Sequence, residues 1–187
     1  AADPGVATWG HTVGNYSNRA LVVTITGWYN PTPVSCTVTY GGVALTQAAN
    51  STAGANQYAT IYVLANPAIG TAQVAISCPN GFSGFGGKVE ASSSSWYNVS
   101  QTTPYVAATS LVSNSITITT AQNDMAIVAY ASNTSHTTGA GQTDIQPCTN
   151  DGSSLPTYHC SSYKLAPSGA STTMSYTGAS TSNSIVG

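Results

Sequence analysis

The residues of this chain that could do chemistry are three histidines, five carboxylates, four cysteines and 52 serine and threonine hydroxyls. Glycoside hydrolysis needs two carboxylates facing one bond. The five acids (Asp3, Glu90, Asp124, Asp144 and Asp151) are scattered, and only Asp144 and Asp151 lie close in sequence. Asp151 belongs to an Asn-Asp-Gly turn that uses it for backbone geometry. A Ser-His-Asp triad can be assembled on paper from His136, Asp144 and any of many serines. No Gly-x-Ser-x-Gly elbow presents such a serine, and a lone histidine beside Ser and Thr reads as a loop residue. Calcium at Asp144 and Asp151 would lack a compact acidic loop. The inventory therefore points away from an enzyme: no catalytic residue, no metal site and no cofactor is expected.

The cysteines form an even set, Cys36, Cys78, Cys148 and Cys160, without a Cys-x-x-Cys pair or histidines at zinc spacing. Four cysteines allow three pairings. Cys36–Cys78 and Cys148–Cys160 is the expected one, the second closing a polar, turn-rich loop; four unpaired buried thiols is the competing reading. Disulfides belong to oxidising compartments.

Two further classes of site are legible. Sugar-binding sandwiches stack ligands on exposed aromatic rings, and Trp9, Trp28 and Trp96 are candidates for sugar stacking or for a subunit interface. Trp28-Tyr29 and Trp96-Tyr97 sit at strand ends, where large aromatics also serve as plugs. N-linked glycan sequons begin at Asn15, Asn50, Asn98 and Asn133. The runs Ser92–Ser95 and Thr134–Thr138 offer hydroxyls for O-linked sugar.

The elements that must position these residues are strands. No window sustains a 3.6-residue period, whereas period-2 runs recur. They cover Leu21–Thr26, Cys36–Tyr40, Ala59–Leu64, Ala72–Ser77, Lys88–Tyr97, Ser115–Thr119, Met125–Tyr130, Tyr158–Leu165, Thr172–Tyr176 and Ser184–Val186. Gly41-Gly42, Asn66-Pro67 with Gly70, and Asn123-Asp124 punctuate them as turns. About ten antiparallel strands without helical crossovers predict an all-β, jelly-roll-like, disulfide-bonded sandwich forming one domain over residues 1–187.

Composition narrows the partners. Eight charged residues in 187 is 4%, against about a quarter in a typical soluble domain. The apolar share of 41% excludes disorder from low hydrophobicity. Solubility then has to come from attached sugar or from burial in an assembly. The net charge of −2 and the absence of a basic run argue against nucleic acid, and no apolar stretch is long enough to span a membrane as a helix. Ala1-Ala2-Asp3-Pro4 has the look of a mature N-terminus after signal removal.

Four phrases carry a resemblance. They are Asn18-Arg19-Ala20-Leu21-Val22-Val23; Val38-Thr39-Tyr40-Gly41-Gly42-Val43-Ala44-Leu45-Thr46; Ile61-Tyr62-Val63-Leu64-Ala65-Asn66-Pro67 running into Gly70-Thr71-Ala72; and Val99-Ser100-Gln101-Thr102-Thr103-Pro104. In this order they resemble a family of bacterial extracellular β-sandwich modules found in large surface, secreted and phage-associated proteins. The resemblance implies a non-catalytic jelly-roll module and brings no substrate or site residues with it. The four cysteines depart from that pattern. So does the short close at Ile185-Val186-Gly187, where the family has a longer apolar strand.

The expected function is a non-catalytic extracellular structural or adhesive subunit, self-associating into a glycosylated surface filament or layer. A carbohydrate-binding, lectin-like module is the alternative. A short last strand would leave an open sheet edge, which the extended N-terminal segment 1–14 of a neighbouring subunit could fill. The competing arrangement keeps that segment in its own sandwich.

Overall fold

The computed structural model describes residues 6–28, 36–51, 57–78, 89–106, 110–150, 157–178 and 183–187. All regular structure among them is antiparallel β. The first half holds β1 (Val6–Val13), β2 (Ala20–Trp28), β3 (Thr37–Tyr40), β4 (Val43–Ala44), β5 (Thr46–Ser51), β6 (Gln57–Ala65), β7 (Gly70–Ser77) and β8 (Val89–Trp96). The second holds β9 (Ser110–Leu111), β10 (Ser115–Thr120), β11 (Met125–Ser132), β12 (Thr137–Thr138), β13 (Thr143–Asn150), β14 (Tyr158–Leu165), β15 (Ala170–Thr177) and β16 (Asn183–Val186).

These strands form four sheets: I (β1-β7-β3-β4), II (β5-β6-β2-β8), III (β13-β14-β11-β16-β9) and IV (β10-β15-β12). Side-chain alternation makes them a four-layer stack. On β2, Leu21, Val23 and Ile25 face sheet I and are wholly buried with Val38, Tyr40, Val74 and Ile76. The intervening Ala20 and Val22 face the other way, against Ala129 and Ile127 of sheet III. On β11, Val128 and Tyr130 turn from sheet III toward Ile116, Met174 and Tyr176 of sheet IV. Each buried aliphatic side chain contributes about 1.5–3 kcal/mol. Sheets II and III are thus covered on both faces, and the all-β, disulfide-bonded architecture is as expected, with sixteen strands among the described residues where about ten were expected.

The two halves repeat one topology. Replacing β1, β2, β3, β5, β6, β7 and β8 by β10, β11, β12, β13, β14, β15 and β16 converts the orders of sheets I and II into those of sheets IV and III, with β4 left without a counterpart and β9 added beyond β16. The correspondence reaches single hydrogen bonds. Asn66 N donates to Arg19 O at 2.8 Å in the first half, and Ala166 N donates to Asp124 O at 2.8 Å in the second. Asn18 and Asn123, at φ 52° and 69°, occupy matching turns ahead of β2 and β11.

Turn chemistry sets the registers. Gly41 and Gly42 both have positive φ, 56° and 83°, and form the two-residue loop that pairs Tyr40 with Val43. Both disulfides join neighbouring strands. Cys36–Cys78 clamps the ends of β3 and β7, and Cys148–Cys160 holds β13 to β14 where their register shifts between Gln146 and Thr149.

The N-terminal strand completes its own sheet, all eight residues of β1 pairing with β7. The chain's last strand is not an edge: β16 lies between β11 and β9. The open edge expected from its shortness is therefore covered in part: all four residues pair with β11, and β9 pairs with Ile185 and Val186 on the other side.

Candidate functional site

The sequence phrases that carry the resemblance meet at one end of the first half, and the bonds between them are structural. Arg19 spends its guanidinium on three acceptors: Pro67 O at 3.1 Å, Tyr16 O at 2.6 Å and Asn66 Oδ1 at 2.8 Å. Gln101 Nε2 donates to Arg19 O and Val99 O, and Val99 N donates to Asn18 O. Tyr40 Oη donates to Gly70 O at 2.8 Å. A fork of fixed geometry matched to three carbonyl-type oxygens is a brace between loops.

The residues that looked reactive are likewise built into the framework. His11, on β1, lies between Ser93 (Nδ1, 2.9 Å) and Ser95 (Nε2, 2.5 Å) of β8. Trp9 Nε1–H donates to the same Ser93 hydroxyl at 2.9 Å, and an indole nitrogen can only donate. Both ring nitrogens of His11 are thus engaged by serine hydroxyls of β8. Burial lowers the His11 pKa below its ordinary value. The four serines Ser92–Ser95 alternate between layers: Ser93 and Ser95 bond sheet I, Ser92 bonds Thr24 and Ser161, and Ser94 accepts from Trp96 Nε1. Ser92, Ser93 and Ser95 thus tie β8 to neighbouring sheets, Ser94 bonds within its own strand, and Ser95 stays exposed.

His136 is buried, with Nδ1 bonded to Thr134 O at 2.7 Å and Nε2 to Tyr130 Oη at 2.9 Å. Asp144 accepts from Thr138 Oγ1, so the hydrogen bonds do not join these two into a triad. Asp3 and Asp151 lie outside the described residues. Among the described residues no three His, Cys, Asp or Glu side chains gather as a metal site.

The tryptophans are not brought together. Trp9 is half-buried between sheets I and II. Trp96 is half-buried in the contact between sheets II and III, edge-on to Tyr163 at 5.0 Å. The side chain of Trp28 lies outside the described residues. Among the described residues the exposed aromatics include a stacked pair that the tryptophans did not point to: Tyr16 and Tyr97, each 61% exposed, lie at 5.1 Å and 27°. Adjacency of Trp96 and Tyr97 at a strand end, where alternation puts one ring outward, was the available signal.

Beside Tyr97 the two halves open into a cleft of about 700 Å³ between sheets II and III. Val22, Ile61, Trp96, Tyr105, Ile127 and Leu165 are among its lining residues. Such a volume, apolar with scattered hydroxyls and amides, is within the range of ligand sites. Asp124 at its margin is occupied by the backbone N–H of Ala121.

Of the four sequons, Asn15, Asn50 and Asn98 are exposed and Asn133 is half-buried. Asn98 has a positive φ of 59° in the turn after β8. No helix among the described residues is long and apolar enough to cross a membrane. No family model matches the chain, and no curated protein or solved structure matches it either.

Proposed function

We propose that this chain is a non-catalytic extracellular structural or adhesive subunit that builds a repeating surface filament or layer. One observation carries the reading: among the described residues His11, Ser92, Ser93 and Ser95 are hydrogen-bonded into the framework, and the strands of both outer sheets carry no charged residue. Two disulfides support an oxidising, extracellular setting. A charge-poor exterior favours burial in an assembly or hydration by glycan, for which Asn15, Asn50 and Asn98 offer exposed amides. Intact mass of the native material tests the glycan: a mass above the 18.9 kDa of the polypeptide is expected, and the bare mass would contradict it. Electron microscopy of native material tests the assembly, with regular filaments or sheets expected and dispersed monomers contradicting it.

A carbohydrate-binding role is the second reading, favoured by the Tyr16–Tyr97 stack beside the cleft. Rings of this kind present apolar faces to sugar rings. Tyr97→Ala would then lower retention on an insoluble neutral polysaccharide at least about tenfold, the effect of losing a stacking anchor. Equal elution of wild type and variant would exclude the site.

A further inference from the structure

Four large apolar side chains that remain exposed gather at one place. Tyr97, Tyr105, Val106 and Leu165, at 61%, 40%, 65% and 52% exposure, all line the cleft between sheets II and III. Apolar side chains exposed singly need no explanation, but several around one concavity mark a binding site. Below this rim the cleft is aliphatic. Val22, Ile61 and Val63 of sheet II are buried, and Ile127 of sheet III is half-buried against the same cluster. Ala48 of β5 lines the cleft as well and contributes only a methyl group. The indole of Trp96 forms a wall fixed in advance, donating to Ser94 Oγ at 2.9 Å and lying edge-on to Tyr163 at 5.0 Å.

The polar groups of the cleft select among ligands. Of the charged side chains among the described residues only Asp124 lines it, and that carboxylate accepts the backbone N–H of Ala121 at 2.6 Å. An ionic head group would find no counter-ion there, and covering a charge without one is costly. A sugar is unsuited to the depth, where its hydroxyls would lose water and meet aliphatic side chains. Uncharged donors and acceptors lie at the opening instead: the exposed amides of Asn98 and Asn123 and the phenols of Tyr97 and Tyr105.

We infer that this cleft binds a neutral single-chain amphiphile, its aliphatic chain against Val22, Ile61, Val63 and Ile127 and its uncharged hydroxyl or ester head among the rim amides and phenols. The volume of about 700 Å³ falls within the range of small-molecule sites, about 300–1,000 Å³. The site is independent of the proposed assembly. It also differs from the sugar reading, whose ligand would lie on the outer Tyr16–Tyr97 stack.

The test uses the full, disulfide-bonded chain with Nile red, a neutral apolar dye, as reporter. Wild type is expected to bind the dye saturably and to release it to dodecanol. Ionised dodecanoate, with the same chain length and a charged head, is expected to need at least about a tenfold higher concentration. Ala48→Trp fills the cleft and is expected to weaken dodecanol binding at least about tenfold, because the indole takes the space of the chain. Val43→Ser removes an exposed apolar side chain outside the cleft and is expected to bind as wild type does. Circular dichroism and melting check that each variant is folded. Should Ala48→Trp not fold, Val106→Ser with Leu165→Ser at the exposed rim replaces it, with the same loss expected. Equal dodecanol affinity in wild type and the folded cleft variant would overturn the inference, as would equal affinity for dodecanol and dodecanoate, or no binding by wild type. Release of the dye by a neutral oligosaccharide such as cellohexaose, and not by dodecanol, would also overturn it and give the cleft to the sugar reading. None of these outcomes bears on the filaments or sheets expected in electron microscopy, so the proposed assembly stands or falls separately.

Discussion

Gly70 and Ala170 hold the same place in the two halves. Gly70 opens β7 opposite Val13, and Ala170 opens β15 opposite Thr120. Both have positive φ, 102° and 126°. Glycine adopts that backbone freely, and alanine pays for its Cβ with strain of about 1–3 kcal/mol.

Ala170→Gly should therefore stabilise the protein by about 1 kcal/mol, the relieved strain exceeding the extra entropy of an unfolded glycine. Gly70→Ala should destabilise it by a similar amount. Chemical denaturation of both variants checks the pair. Destabilisation by Ala170→Gly would show that the two turns are not equivalent in energy.

Arg19 is expected to behave as a brace. Arg19→Ala should cost about 1–2 kcal/mol through three lost acceptor contacts. Arg19→Lys should recover little of it, because an ammonium cannot reach Pro67 O, Tyr16 O and Asn66 Oδ1 in one geometry. Full rescue by lysine, read from denaturation midpoints, would argue against the fork.

His11 gives the fold a pH dependence of known sign. Its hydrogen-bond partners Ser93 and Ser95 and its ring neighbour Tyr40 are neutral, and burial lowers its folded pKa below the ordinary 6.5. Below that value the unfolded chain binds the proton more readily, so this contribution is present above pH 6.5 and lost as pH falls through the lower folded pKa. Melting temperatures from pH 8 to pH 4 should fall less steeply for His11→Gln than for wild type. Parallel curves would remove His11 from the account.

The disulfides close loops of different length, with separations of 42 and 12 residues. Losing Cys36–Cys78 should cost about 4 kcal/mol and losing Cys148–Cys160 about 3 kcal/mol in the chain-entropy account. Paired Cys→Ser variants measure each. The second should also loosen β13 selectively, visible as faster amide exchange from Thr143 to Asn150, because this bond spans the broken register there.

The strands legible in the sequence were those dense in β-branched residues, such as β2, β6 and β10. β13 was missed because it carries Asp144 and Pro147 and keeps a broken register, all tolerated on an edge strand stapled by Cys148. β5 was missed because Gln47, Ala48, Ala49 and Asn50 are weak strand formers whose place is set by β6 and sheet III. The repeat was hidden because its inward positions are not conserved in type: Leu21 and Ile25 correspond to Ala126 and Tyr130. What survives is punctuation, with Asn18 before Leu21-Val22-Val23 matching Asn123 before Ala126-Ile127-Val128, and a Pro-containing turn before Gly70 and Ala170. The cysteine pairing was legible by spacing. The bonds of Ser92, Ser93 and Ser95 to other sheets were not, because a serine on an edge strand looks exposed until a second sheet is known to lie on each side.

The most direct test of the account is negative-stain electron microscopy of native, disulfide-intact protein. Regular filaments or sheets are expected. A field of dispersed single molecules at high protein concentration would contradict it.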